Sequence, residues 1–88
     1  MSERSVAVAA AVGLHARPAA LFCQAAAATG VAVTITIPSG RSALAASILG
    51  VLSLGVDHGE IVTLSAEGEG ADAAIDTLAA LLATTLEL

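Results

Sequence analysis

Apolar and polar positions along this chain repeat with one of two periods, and each change of period marks a new element. Residues 2–9 alternate around Val6 and Val8, which predicts a half-buried first strand. Residues 10–14 break the alternation and read as a loop. From Ala16 to Ala28 the residues are good helix formers. There Ala19, Phe22, Cys23 and Ala26 fall at helical spacing and predict the buried stripe, with Gln24 and Ala27 towards the other side. Thr29 and Gly30 end the helix, Gly30 being suited to a left-handed cap. Residues 31–37 are mostly β-branched and predict a strand with Val33, Ile35 and Ile37 on one face. Pro38-Ser39-Gly40 turns the chain into a short returning strand at 41–43. A second helix is predicted over 47–54, with Ser47 as its N-cap and Gly55 as its stop. After the polar turn Asp57-His58-Gly59, residues 60–66 predict a final strand with Val62, Leu64 and Ala66 sharing a face. A last helix over 71–86 takes its stripe from Ala74, Ile75, Leu78 and Leu82, and Asp72 suits its first turn. The order β-α-β-β-α-β-α, with amphipathic helices and half-apolar strands, requires an antiparallel sheet covered on one side.

Composition narrows this picture. The 88 residues leave room for a single domain spanning 1–88, and such a chain depends on dense apolar packing. Although 57% of the residues are apolar, Phe22 is the one aromatic, so Ala, Val, Leu and Ile must build the core. A single Cys excludes an intramolecular disulfide. The first residues lack the apolar core of a signal peptide, and no apolar run reaches the roughly 20 residues that span a bilayer. The expectation is a cytosolic protein without membrane insertion. With a net charge of -5, three arginines (Arg4, Arg17, Arg41) and no lysine, nucleic acid is excluded as a partner, because its affinity comes largely from neutralised phosphates.

The distinctive chemistry gathers in Gly13-Leu14-His15-Ala16-Arg17-Pro18-Ala19-Ala20. His15 is a nucleophile usable near neutral pH and stands where the loop becomes helix. Pro18 fits a first helical turn, where its missing N–H breaks no helical hydrogen bond. A helix starting here aims the free backbone N–H groups of Ala16 and Arg17 at whatever sits beside His15, with the Arg17 guanidinium as a mobile cation. Those parts make an anion site and, with a phosphoryl group on the imidazole, a phosphocarrier. Gly13 would let the backbone approach the imidazole or its phosphate. Cys23 reads as a small core residue, and His58 as a solvated loop histidine without a second ligand at metal-binding spacing. No metal and no cofactor is expected.

Gly-Leu-His-Ala-Arg-Pro-Ala resembles the active-site signature of HPr, the histidine-containing phosphocarrier family of the bacterial phosphoenolpyruvate:sugar phosphotransferase system. The segment Ser47-Ile48-Leu49-Gly50-Val51-Leu52-Ser53-Leu54-Gly55 resembles the regulatory-serine helix of that family, and Val62-Thr63-Leu64-Ser65-Ala66-Glu67-Gly68 resembles its tail. The resemblance implies the α+β class: an open-faced sandwich with a four-stranded antiparallel sheet covered by three helices. It implies that Nδ1 of His15 accepts a phosphoryl group from enzyme I, charged by phosphoenolpyruvate, and passes it to the IIA domain of a sugar permease. Such a chain is a stoichiometric carrier, not an enzyme, and is expected to be a monomer. The resemblance further assigns partner contact to Ile48, Leu49 and Leu52, with Ala20 near the start of the first helix. Ser47 corresponds to a serine that a dedicated kinase and phosphorylase act on in some relatives, although capping alone accounts for a serine there. Many relatives carry basic residues near Gln24, Ala27 and Ala46, and this chain has none. Two other readings stay open: a regulatory carrier of a nitrogen-related phosphotransferase branch, and a binding module without phosphoryl chemistry.

Overall fold

A computed structural model describes residues 2–84. Seven elements form in the predicted order: β1 (Ser2–Ala7), α1 (Ala16–Ala28), β2 (Thr34–Thr36), β3 (Ser42–Leu44), α2 (Ile48–Leu54), β4 (Ile61–Ala66) and α3 (Ala71–Ala83). The four strands form one sheet in the order β1-β4-β2-β3, with every pairing antiparallel. The three helices cover one face, and the other face is open. This is the open-faced α+β sandwich expected.

The predicted stripes point into the core. Ala19, Phe22, Cys23 and Ala26 are buried on α1, as are Ala74, Ile75, Leu78 and Leu82 on α3. They meet Val33, Ile35, Val62, Leu64 and Ala66 from the covered face of the sheet. The opposite face carries Ser5, Thr63, Ser65, Thr34 and Thr36, with Ser5 and Thr63 hydroxyls 3.1 Å apart across β1 and β4. No described side chain buries an unpaired polar atom.

Where strands are shorter than their pattern, a specific hydrogen bond has diverted the backbone. The strand anticipated over 31–37 reduces to Thr34–Thr36, because the Val31 N–H is taken by the Thr29 hydroxyl at 3.1 Å, inside the turn that follows α1. Gly30, with φ +71°, completes that turn. The returning strand begins one residue late, at Ser42. Arg41 closes the hairpin through its carbonyl to Ile37 and sends its guanidinium to the Ser53 carbonyl at the end of α2, 2.7 Å away. β1 ends at Ala7 instead of residue 9, since the Ala9 N–H turns out of the sheet to the Leu82 carbonyl of α3 at 2.9 Å. Asp72 does lie in the first turn of α3, where it accepts from the Ser2 hydroxyl. The anticipated end of the last helix, at 85–86, falls outside the described residues. No described helix is long and apolar enough to cross a membrane.

Candidate functional site

His15 is the N-cap of α1, in extended backbone at φ -126° and ψ 159°, and its side chain makes no capping hydrogen bond. Two anchors place it. Leu14 is fully buried and its N–H donates to the Val56 carbonyl at 2.9 Å; Pro18 is buried in the first turn of α1. Between them the chain must swing from an extended loop onto the helix axis, and Ala16 makes that swing. Its φ of +47° is the only positive φ of a non-glycine among the described residues. Left-handed backbone costs an L-residue about 1–2 kcal/mol, so strain is concentrated at the peptide next to the imidazole.

The loop over residues 8–14 is sewn to the turn over 56–60. Val8 N–H donates to Glu60 O at 3.0 Å, Gly59 N–H to Val8 O at 2.8 Å, and Nδ1 of His58 lies 3.2 Å from the Ala10 carbonyl. His58 is exposed, as anticipated, yet this contact ties it to the loop. Gly13, with φ +74°, is buried against the same turn. A Cβ there would overlap the Val56 carbonyl oxygen and stand 2.8 Å from Asp57 Cα. The close approach expected at Gly13 is thus to the 56–57 backbone, not to the imidazole.

This seam delivers a residue that the sequence reading missed. Asp57 Oδ1 lies 3.5 Å from His15 Nε2, with the two side chains 81% and 42% exposed. Nothing in the motif around His15 signals it, because the partner is 42 residues further along the chain and reaches the site only through the turn.

Arg17 is exposed and makes no ion pair or hydrogen bond with a described residue. The other two arginines are engaged: Arg4 with Asp76 at 3.0 Å, and Arg41 with the Ser53 carbonyl. The N–H groups of Ala16 and Arg17 meet no backbone acceptor among the described residues, as the first turn of a helix requires. His15 is partly exposed and Arg17 exposed, two residues apart at the start of α1.

Beside it lies an apolar surface. Ser47 caps α2 by accepting from Gly50 N–H at 3.2 Å, as expected. Val51 and Leu54 fill the core from α2, while Leu49 is 78% exposed, Ile48 39% and Leu52 38%. A groove of about 360 Å³ between α1 and α2 is lined by Ala20, Cys23, Gln24, Ala27, Ala46 and Ile48. The three uncharged positions 24, 27 and 46 thus meet in one place. Burial pushes the Cys23 thiol up from its ordinary pKa, which disfavours the reactive thiolate.

A sequence model described as the PTS HPr component phosphorylation site matches residues 2–84. The chain is 53% identical over 87 residues to phosphocarrier protein HPr of Streptomyces coelicolor, covering 99% of this chain and 94% of that protein. It is 43% identical over 82 residues to phosphocarrier protein HPr of Vibrio cholerae, covering 93% and 95%. Among solved structures, HPr-C-His from Thermoanaerobacter tengcongensis superposes with a TM-score of 0.87 at 40% identity, covering 93% of this chain and 91% of that one. The phosphocarrier protein HPr from Bacillus anthracis gives 0.87 at 37% identity, covering 92% and 95%.

Proposed function

Because the chain belongs to the HPr family and is a stoichiometric carrier of phosphoryl groups between enzyme I and IIA domains, we propose that His15 is the residue that carries the group. The observation behind this is the juxtaposition of a solvent-accessible imidazole, an unengaged guanidinium and unpaired helix-start N–H groups. In the proposed step the Nδ1 lone pair forms a bond to phosphorus while the bond from phosphorus to the donor breaks, its electron pair leaving with enzyme I. Delivery to a IIA domain reverses the roles, and His15 becomes the leaving group. Phosphoryl transfer asks a protein chiefly for positioning and for compensation of charge on the equatorial oxygens. The Arg17 guanidinium and the N–H groups of Ala16 and Arg17 supply that compensation. The exposure of His15 and Arg17 suits a cargo that must be handed on.

We assign the exposed surface of Ile48, Leu49 and Leu52, with Ala20 beside it, to partner docking. We take IIA domains of sugar permeases as the acceptors ahead of a nitrogen-related branch, with the protein acting as a cytoplasmic monomer. Capping of α2 accounts for Ser47 without a kinase. A phosphate there would add charge beside the docking surface.

Incubation with phosphoenolpyruvate and enzyme I, read by intact mass, tests the assignment. Wild type should gain one acid-labile phosphoryl group and His15→Ala none. Arg17→Ala should accept the group but pass it to a IIA domain more slowly, by about tenfold or more, as expected for a charge that acts in the transition state. Labelling of His15→Ala equal to wild type would overturn the assignment.

A further inference from the structure

Resting on the reading of His15 as carrier, the geometry points to Asp57 as the positioning residue of the imidazole: its carboxylate keeps the ring proton on Nε2, frees the Nδ1 lone pair and offsets the charge gained on phosphorylation. A neutral imidazole places its one proton on either nitrogen, and the partner of one nitrogen decides which. Nε2 of His15 faces Asp57 Oδ1 at 3.5 Å. A lone pair on Nε2 would confront the carboxylate oxygen, whereas an N–H there is attracted to it. The remaining lone pair is then on Nδ1, the atom required by the proposed transfer.

The same contact acts after transfer. When the Nδ1 lone pair has formed the bond to phosphorus and the donor has left with its electron pair, Nε2 still holds its proton. The ring has therefore gained a positive charge that is shared with Nε2–H. A carboxylate beside Nε2 stabilises this state relative to the free ring. Two other titratable or charged side chains belong to the same neighbourhood: Arg17, two residues along, and His58, whose Nδ1 faces the Ala10 carbonyl instead.

Asp57 is held for this task by its backbone. Its carbonyl accepts from Glu60 N–H at 3.1 Å, the neighbouring Val56 carbonyl accepts from Leu14, and Gly13 packs against Asp57 Cα. Its carboxylate makes no described contact other than that with His15. With both side chains partly in water, the effect belongs to the range of exposed ion pairs, roughly two- to fivefold in an equilibrium constant.

Asp57→Asn, which keeps the shape, and Asp57→Ala test the assignment. Nitrogen-15 NMR of the unphosphorylated proteins reads the tautomer of the neutral His15 ring. The Nε2–H form should dominate in wild type, and its ratio to the Nδ1–H form should fall about two- to fivefold in both variants. The equilibrium constant for phosphoryl transfer from enzyme I should fall by a similar factor, with unchanged circular dichroism and urea midpoint. An unaltered tautomer ratio, or an altered ratio with an unchanged transfer equilibrium, would overturn the role of Asp57. The tautomer is read without any phosphoryl group, so this failure is distinct from labelling of His15→Ala, which would instead overturn the carrier assignment.

Discussion

Docking through the exposed face of α2 makes a graded prediction. Full burial of a Leu or Ile side chain is worth about 1.5–3 kcal/mol. Leu49 retains 78% of its surface for a partner to cover, against 39% for Ile48 and 38% for Leu52. Covering Leu49 completely would then contribute about 1.2–2.3 kcal/mol, a factor of roughly 7 to 40 in Kd. The same scaling leaves Ile48 and Leu52 about 0.6–1.2 kcal/mol each, roughly three- to sevenfold. Truncation to Ala should therefore weaken binding to enzyme I most at position 49 and less, by similar amounts, at 48 and 52. Leu49→Glu should be worse than Leu49→Ala, because a carboxylate must also be desolvated in the interface. None of these changes should unfold the protein, since Val51 and Leu54 supply the part of α2 that lies in the core. Electrostatics points the same way. Arg4 and Arg41 are engaged within the chain, the α1–α2 groove lacks charge, and the net charge is -5. Raising salt from about 0.1 M to about 1 M shortens the Debye length from about 10 Å to about 3 Å, yet affinity should change little. Titration calorimetry of the four variants at both salt concentrations, with circular dichroism on each, measures all of this. Less than about a twofold loss for folded Leu49→Ala, where the burial term demands roughly sevenfold or more, together with a steep fall of wild-type affinity in salt, would refute the reasoning.

Two further outcomes follow from the packing. Gly13→Ala should lower the urea midpoint, by about 1–3 kcal/mol of stability, since the new Cβ meets the Val56 carbonyl and the backbone is left-handed. It should also slow phosphoryl acceptance, because the turn bearing Asp57 must move; a variant with wild-type stability would show that the loop is not clamped there. Cys23 should resist alkylation at neutral pH in the folded protein and react once urea unfolds it. Its thiol pKa is raised on folding, so the folded state holds the proton longer. Stability from this group is therefore present below the unfolded thiol pKa and declines as pH rises through that value towards the folded one. Cys23→Ala should flatten that alkaline decline, and an identical slope in urea melts of the two proteins would contradict it.

The order of the elements, the buried stripes of α1 and α3, the capping of α2 by Ser47 and the place of His15 at a helix start were all legible in the sequence. Each depends on residues within one or two turns of helix or one length of strand, where periodicity and capping chemistry act locally. The exposed face of α2 was legible too, because two turns of helix cannot bury Ile48, Leu49, Val51 and Leu52 together. Tertiary structure decided which of them does so, and only Val51 does. It also decided the lengths of β1 and β2, where the N–H groups of Ala9 and Val31 go to α3 and to Thr29 instead of continuing a ladder. The surroundings of the imidazole lay furthest from sequence reasoning. The positive φ of Ala16 falls in the three residues between Leu14 and Pro18, both buried, over which the chain turns from loop to helix. Asp57 stands beside His15 because Gly13 allows two backbones to touch and four hydrogen bonds seal the seam. Local pattern records how a segment folds on itself; contact between a loop at 13 and a turn at 57 exists only once the sheet between them has formed.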